Sequence, residues 1–320
     1  MTTRFRNGGS HRDGTVTRAD VERARQVLAG RVHRTPTLSC ASLGVQLKAE
    51  LFQKTGSFKA RGALNRIAAL TPQERRRGVV TWSAGNHAQA VAWAAAQQGV
   101  DCLVHMWHGA SPLKVEATRG YGAVVDLDAP DAAAAYERAR ATAEEQGRLF
   151  IHPHSDPLVV AGHGTIALEL LEEVPGLTTV VVGAGGGGLA AGIVAGLAGS
   201  ARVVAVEPAG SPALSAGLAA GHSVPVASDT IADGLAPPFA GELPLALCRG
   251  RVETVLVSDE EIAEGMRFLY ARAKLACEPA GAAAAGAVLA GTVEAGPGVA
   301  VVVSGGNVEP TLAAAIVAGS

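Results

Sequence analysis

The sequence predicts an α/β fold in which a mostly parallel sheet carries helices on both faces. Three observations point there. Short apolar runs alternate with longer Ala- and Leu-rich stretches, Gly- or Ser-containing turns separate the two, and the short runs are apolar throughout rather than at every second position. A strand without a polar face has no wet side, which is the condition of a strand inside a parallel sheet.

Taken in chain order, Thr71-Pro72-Gln73-Glu74 combines an N-cap, a first-turn proline and the glutamate of a capping box, and so opens a helix. Val79–Trp82 reads as a strand that leads through Ser83-Ala84-Gly85 into a helix over 86–98. The alanine-rich stretches 131–143 and 279–290 are helices by propensity. A strand over 179–182 passes through glycines into a helix over 189–197, and 202–206 follows as the next strand. Ser258-Asp259-Glu260-Glu261 starts a helix expected to run to about residue 276, and Val299–Val303 is the last strand.

Composition narrows the function. The 320 residues are 48% hydrophobic and 18% charged, which excludes a disordered chain. Lys and Arg number 27 against 29 Asp and Glu, so there is no basic surplus and no nucleic-acid partner is expected. Cys40, Cys102, Cys248 and Cys277 are scattered without a C-x-x-C pair, which suits a reducing, cytoplasmic setting. Residues 1–16 read as a disordered polar leader rather than a signal peptide. The uncharged stretch 174–201 carries Gly188, Gly192 and Gly196 at G-x-x-x-G spacing, but its four consecutive glycines would hold a lipid-exposed helix poorly. A strand, a turn and a small-residue helix explain it better, and no membrane span is expected. His105 with His108, and His152 with His154, lack nearby Cys or carboxylate partners at metal-ligand spacing.

Four segments carry chemistry. In Thr55-Gly56-Ser57-Phe58-Lys59-Ala60-Arg61-Gly62, Lys59 sits among apolar and small residues at a helix start. Desolvation there lowers a lysine pKa and makes the amine a nucleophile towards an aldehyde; the ordinary reading is a surface lysine. Ser83-Ala84-Gly85-Asn86-His87 joins a strand to a helix N-terminus, a seat for a carboxylate or simply a helix cap. Gly183-Ala184-Gly185-Gly186-Gly187-Gly188-Leu189 lets backbone N–H groups approach a phosphate. It also satisfies G-x-G-x-x-G, with Glu207 placed like a ribose-binding acid, although some 180 residues precede it where a dinucleotide fingerprint opens its domain. Ser304, following the last strand, can bond a ring nitrogen without a formal charge or merely end a strand.

In this order, the four segments resemble the threonine/serine dehydratases of the fold-type II pyridoxal-phosphate enzymes, a family that includes serine racemase. The likeness runs from Arg34-Thr35-Pro36-Thr37 to Asn307. It takes in Asp156-Pro157-Leu158-Val159-Val160-Ala161-Gly162, Thr230-Ile231-Ala232-Asp233-Gly234 and Glu278-Pro279-Ala280-Gly281-Ala282. The resemblance implies two α/β domains of the tryptophan synthase β type: a large one of residues 17–72 and 151–320 and a small, substrate-clamping one of residues 73–150. It implies pyridoxal 5′-phosphate held as a Schiff base on Lys59, which also takes the substrate's α-proton. Phe58 would pack near the cofactor ring, Asn86 bond its phenolic oxygen, and Ser304 face its pyridine nitrogen. Gly185, Gly186, Gly187, Gly188 and Leu189 would bind the phosphate. Ser83, with Ala84, Gly85, Asn86 and His87, would hold the substrate carboxylate. The implied reaction removes water and then ammonia from L-threonine or L-serine, in a homodimer.

Three departures bear on this. Ala84 stands where racemases carry a second serine, so racemisation should be minor. Ala213 replaces a carboxylate of the family's cation site near Glu207 and Ser211, which leaves a divalent or monovalent cation an open question. His152-Pro153-His154-Ser155-Asp156-Pro157 stands where relatives often read His-Pro-Phe-Asp-Asp-Pro, so His154 is either a pocket wall or a tolerated surface change. A dehydratase of 3-hydroxyaspartate or another specialised hydroxy amino acid, a serine racemase and, outside the class, a dinucleotide-dependent oxidoreductase are the alternative readings.

Overall fold

A computed structural model describes residues 15–319; of the expected leader 1–16, all but the last two residues lie outside them. Ten strands occur among the described residues: β1 (Thr37–Cys40), β2 (Val45–Ala49), β3 (Val79–Trp82), β4 (Cys102–Trp107), β5 (Val124–Ala129), β6 (Leu149–Phe150), β7 (Thr179–Gly183), β8 (Arg202–Pro208), β9 (Val252–Val257) and β10 (Val299–Val303). They form a six-stranded sheet in the order β1-β2-β10-β7-β8-β9 and a four-stranded sheet in the order β5-β4-β3-β6. Every pairing is parallel except β1 with β2. The continuous apolar runs lie centrally: every residue of β3, β7 and β10 is buried, whereas the edge strands β5 and β9 are mostly half-buried or exposed.

The helix-start signals act as read. Thr71 and Ser258 each close a capping box, with Glu74 and Glu261. The helix opened by Ser258 is shorter than expected. It ends at Phe268, gives way to a wider turn over Leu269–Ala273, and is stopped by Lys274 in the left-handed region. Alanine propensity favours continuing, but the turn lets both Leu269 and Leu275 enter the core, and burial outweighs propensity.

Three helices form the frame on which the candidate site stands. Lys59–Ala68 crosses Pro157–Glu173 at Gly62 and Gly162, where an added Cβ would meet backbone oxygens of Val159 and Arg61 at 2.6 Å. Pro157–Glu173 in turn crosses Gly188–Leu197 through Gly164, Gly192 and Gly196, where an added Cβ would again lie 2.6 Å from an opposing carbonyl oxygen. The G-x-x-x-G spacing therefore serves close packing inside the protein. No helix among the described residues is long and apolar enough to cross a membrane.

Candidate active site

The ends of β3, β7 and β10, and the start of the helix Lys59–Ala68, open onto one cavity of about 530 Å³. Its lining contains Phe58, Lys59, Ser83, Ala84, Gly85, Asn86, His87, the run Gly185, Gly186, Gly187, Gly188 and Leu189, and Ser304. Residues up to 246 positions apart, from Phe58 to Ser304, thus meet at the carboxyl ends of parallel strands, where open α/β sheets bind ligands.

Lys59 is no surface lysine. It is only partly exposed, its Nζ donates to the Pro153 carbonyl oxygen at 2.9 Å, and it stands 5.1 Å from the Phe58 ring centroid. No carboxylate pairs with it among the described residues. Burial lowers its pKa from 10.5 to about 8, so a neutral amine is accessible near physiological pH.

The turn after β3 leaves its helix uncapped. Gly85 is the N-cap residue and supplies no side chain, and the Ser83 hydroxyl accepts from the Gly85 N–H at 3.1 Å. The first-turn N–H groups of Asn86–Ala96 remain available at the cavity, which favours an anion seat over a plain cap. His87 points its ring towards the Ile151 carbonyl oxygen, 3.4 Å away, so its backbone is what it offers the cleft.

Asn86 is fixed by partners whose part the sequence reading missed. Its Nδ2 donates to Glu278 Oε1 at 2.6 Å, and its Oδ1 accepts from Asn307 Nδ2 at 2.7 Å. Asn307 also donates to the Thr55 carbonyl oxygen at 2.7 Å, tying this group to the loop before Lys59. Burial raises the Glu278 pKa to about 7, and Asp233 pushes the same way. Both residues lie in segments that the resemblance had singled out, yet only their contacts reveal that they orient Asn86.

At the glycine run, each position is closed to a larger residue. A Cβ on Gly185 would meet Pro237 at 2.9 Å, on Gly186 the His154 ring at 2.4 Å, on Gly187 Pro244 at 2.8 Å, and on Gly188 the His154 Cα at 2.9 Å. Gly187 has φ +83° and precedes the uncapped helix Gly188–Leu197. Backbone N–H groups and a helix N-terminus together make an anion cradle. His154 is a pocket wall, only 5% exposed.

Glu207 is not free to bind a ribose. It is fully buried; its Oε1 accepts from the Leu214 N–H at 2.6 Å, and its Oε2 accepts from the Ser215 N–H at 2.9 Å and from the Ser215 hydroxyl. It satisfies first-turn N–H groups of the helix Ala213–Ala220, and this removes the ribose-binding acid from the dinucleotide reading. The same contacts occupy the carboxylate at the position of the family's cation site. Among the described residues no group of three or more His, Cys, Asp and Glu could hold a metal ion. Ser304 follows β10, is buried, and accepts the Phe58 N–H at its carbonyl oxygen at 3.1 Å, which joins the strand end to the residue before Lys59.

Comparison with known proteins identifies the family. The family model described as "Pyridoxal-phosphate dependent enzyme" matches residues 28–305. The chain is 41% identical to the L-threonine ammonia-lyase of Thermotoga maritima, over 92% of this chain and 76% of that one. Among solved structures, maize serine racemase superposes with a TM-score of 0.87 at 35% identity, covering 93% of this chain and 95% of the other. The T.th. threonine deaminase gives 0.84 at 39% identity, covering 92% of this chain and 99% of the other.

Proposed function

Because the chain belongs to the pyridoxal-phosphate-dependent enzymes, we propose that it deaminates L-threonine and L-serine to 2-oxo acids and ammonia. One observation carries this reading: a desolvated, unpaired lysine, a glycine anion cradle and an uncharged strand-end hydroxyl share one cavity. These groups fit the cofactor. An amine suits its aldehyde, the cradle its phosphate, and a neutral serine its ring nitrogen.

Bound pyridoxal phosphate supplies an electron sink for charge developing at the substrate's α-carbon. The residues do the rest. Lys59 would hold the cofactor, and its free amine would accept the α-proton at Nζ. Phe58 packs beside the ring, and Asn86, steadied by Glu278 and Asn307, presents its amide to the phenolic oxygen. Gly185 to Gly188 and Leu189 bind the phosphate. Ser83 and the backbone from Ala84 to His87 hold the carboxylate and so aim the α-hydrogen at Lys59. Ser304, a neutral partner, would leave the ring nitrogen uncharged, which suits elimination better than transamination.

The charge inventory of the cavity supports a substrate with an uncharged side chain. Lys114, the other cation in the lining besides Lys59, is paired with Asp233. No arginine lines the cavity among the described residues, so a second carboxylate such as that of 3-hydroxyaspartate has no unpaired partner. We further infer a cytoplasmic homodimer acting on small amino acids and not on nucleic acid. The near-neutral charge of -2 supports the last point, and the resemblance supports the dimer. Residues 17–72 and 151–320 form the large domain in this reading, with 73–150, which holds the four-stranded sheet, as the clamp.

The visible spectrum of the purified protein, recorded with L-threonine, tests the proposal. A yellow band that shifts while 2-oxo acid accumulates is expected. A band indifferent to threonine and serine moves the search to other hydroxy amino acids, and no band after adding pyridoxal phosphate overturns the reading. Ala84 leads to a second expectation. With no side-chain base at that position, D-serine should form from L-serine far more slowly than pyruvate; comparable rates in a chiral assay would refute it.

A further inference from the structure

His154 packs against the underside of the glycine run. Its Nδ1 is the ring atom nearest the Cα substituent that Gly186 lacks, and its backbone lies against Gly188. The ring is held in place: His152 Nδ1 accepts the backbone N–H groups of His154 and Ser155 at 3.3 and 3.1 Å. The His152 ring lies edge-on to it with centroids 4.5 Å apart, and that of Phe239 lies 6.2 Å away.

This preorganised ring has unused hydrogen-bonding capacity. Nε2 is buried without a partner, and no hydrogen bond to Nδ1 occurs among the described residues. A neutral imidazole always carries one N–H. Buried polar groups left unpaired in native proteins call for an explanation, and a ligand in the adjoining cavity is one. The surroundings say which kind. Burial first, and then the basic neighbours His152, Lys59 and His87, hold the ring neutral, and no carboxylate is among the groups that reach it. A neutral ring N–H with no carboxylate beside it suits an anionic acceptor.

We propose that His154 donates a ring N–H to the phosphate ester of the cofactor, adding a side-chain ligand to a cradle otherwise made of backbone. The proposal rests on the reading of Gly185 to Leu189 as the phosphate seat. It assigns His154 to cofactor retention rather than to proton transfer.

The test compares pyridoxal phosphate with pyridoxal, which lacks the phosphate, as ligands of the cofactor-free protein, with dissociation constants read by absorbance. His154→Phe keeps the aromatic packing and removes the donor, while His154→Asn places an amide N–H near the position of Nδ1. His154→Phe is expected to weaken pyridoxal phosphate about tenfold or more, as for a lost hydrogen bond to a charged group. Pyridoxal binding should be unchanged, and His154→Asn should recover part of the loss. An unchanged affinity for pyridoxal phosphate, or an equal loss for both ligands, overturns the proposal, the latter by showing a purely structural role. A wild-type protein that binds neither ligand instead overturns the cofactor reading beneath it, a distinct result.

Discussion

Replacing Lys59 by alanine is expected to lower threonine turnover by at least about a thousand-fold, since positioned acid–base groups alone contribute roughly 10²–10⁴ and Lys59 is assigned the covalent hold on the cofactor as well. The yellow band should disappear, while cofactor added in excess can still occupy the cavity through the glycine cradle. Lys59→Arg should be nearly as inactive, because a guanidinium does not give up its proton near neutrality. Normal turnover in Lys59→Ala would remove this residue from the mechanism. The wild-type lysine should also show its environment directly. Its pKa lies below the ordinary 10.5, at about 8, so the neutral, nucleophilic fraction grows as pH rises through 8 and is nearly complete above 9. Capture of pyridoxal phosphate by the cofactor-free protein should therefore climb through pH 8 and then level off. A rate that keeps climbing beyond pH 10 would mean that the amine is not desolvated.

The largest stability effect is expected at Arg61, two positions after Lys59 on the same helix. Its guanidinium is 1% exposed and makes two bidentate pairs. One runs to Glu50, with Nε to Oε2 at 2.9 Å and Nη2 to Oε1 at 2.7 Å, and the other to Glu169, with Nη1 to Oε1 at 2.6 Å and Nη2 to Oε2 at 2.9 Å. Thr35 and Thr165 extend the network. Burial by itself would depress the arginine pKa, but the two carboxylates more than offset it and raise it. Arg61→Met fits the volume but strands the fully buried Glu50, and breaking a buried pair in this way costs about 3–5 kcal/mol. A lower urea midpoint of the holoenzyme at unchanged slope would record it. Arg61→Lys, which keeps the charge but not the forked geometry, should fall between. A midpoint within error of wild type for Arg61→Met would show that the network contributes nothing. Because the helix Lys59–Ala68 starts at the candidate site, the network also bears on how steadily Lys59 is held.

Much of this molecule was legible from local chemistry. Strands without a polar face, such as Val299–Val303, can only be buried on both sides, and that alone calls for a parallel sheet under helices. Capping boxes at Thr71 and Ser258 announce their helices because side chain and backbone satisfy each other within four residues. The lysine, glycine run and strand-end serine were visible as separate motifs, and their order supplied the family.

Packing between distant segments settled the rest. Even nearer at hand, the bond of Ser83 to the Gly85 N–H and the hold of Leu214 and Ser215 on Glu207 are contacts that no periodicity reveals. The hold of Glu278 and Asn307 on Asn86 joins residues 192 and 221 positions apart. His154 read equally well as wall or surface until the glycine run was seen lying against it. Local sequence specifies backbone hydrogen bonding and which face must be dry; the desolvation that tunes Lys59 and leaves His154 unpaired arises only when chain from elsewhere excludes water around them.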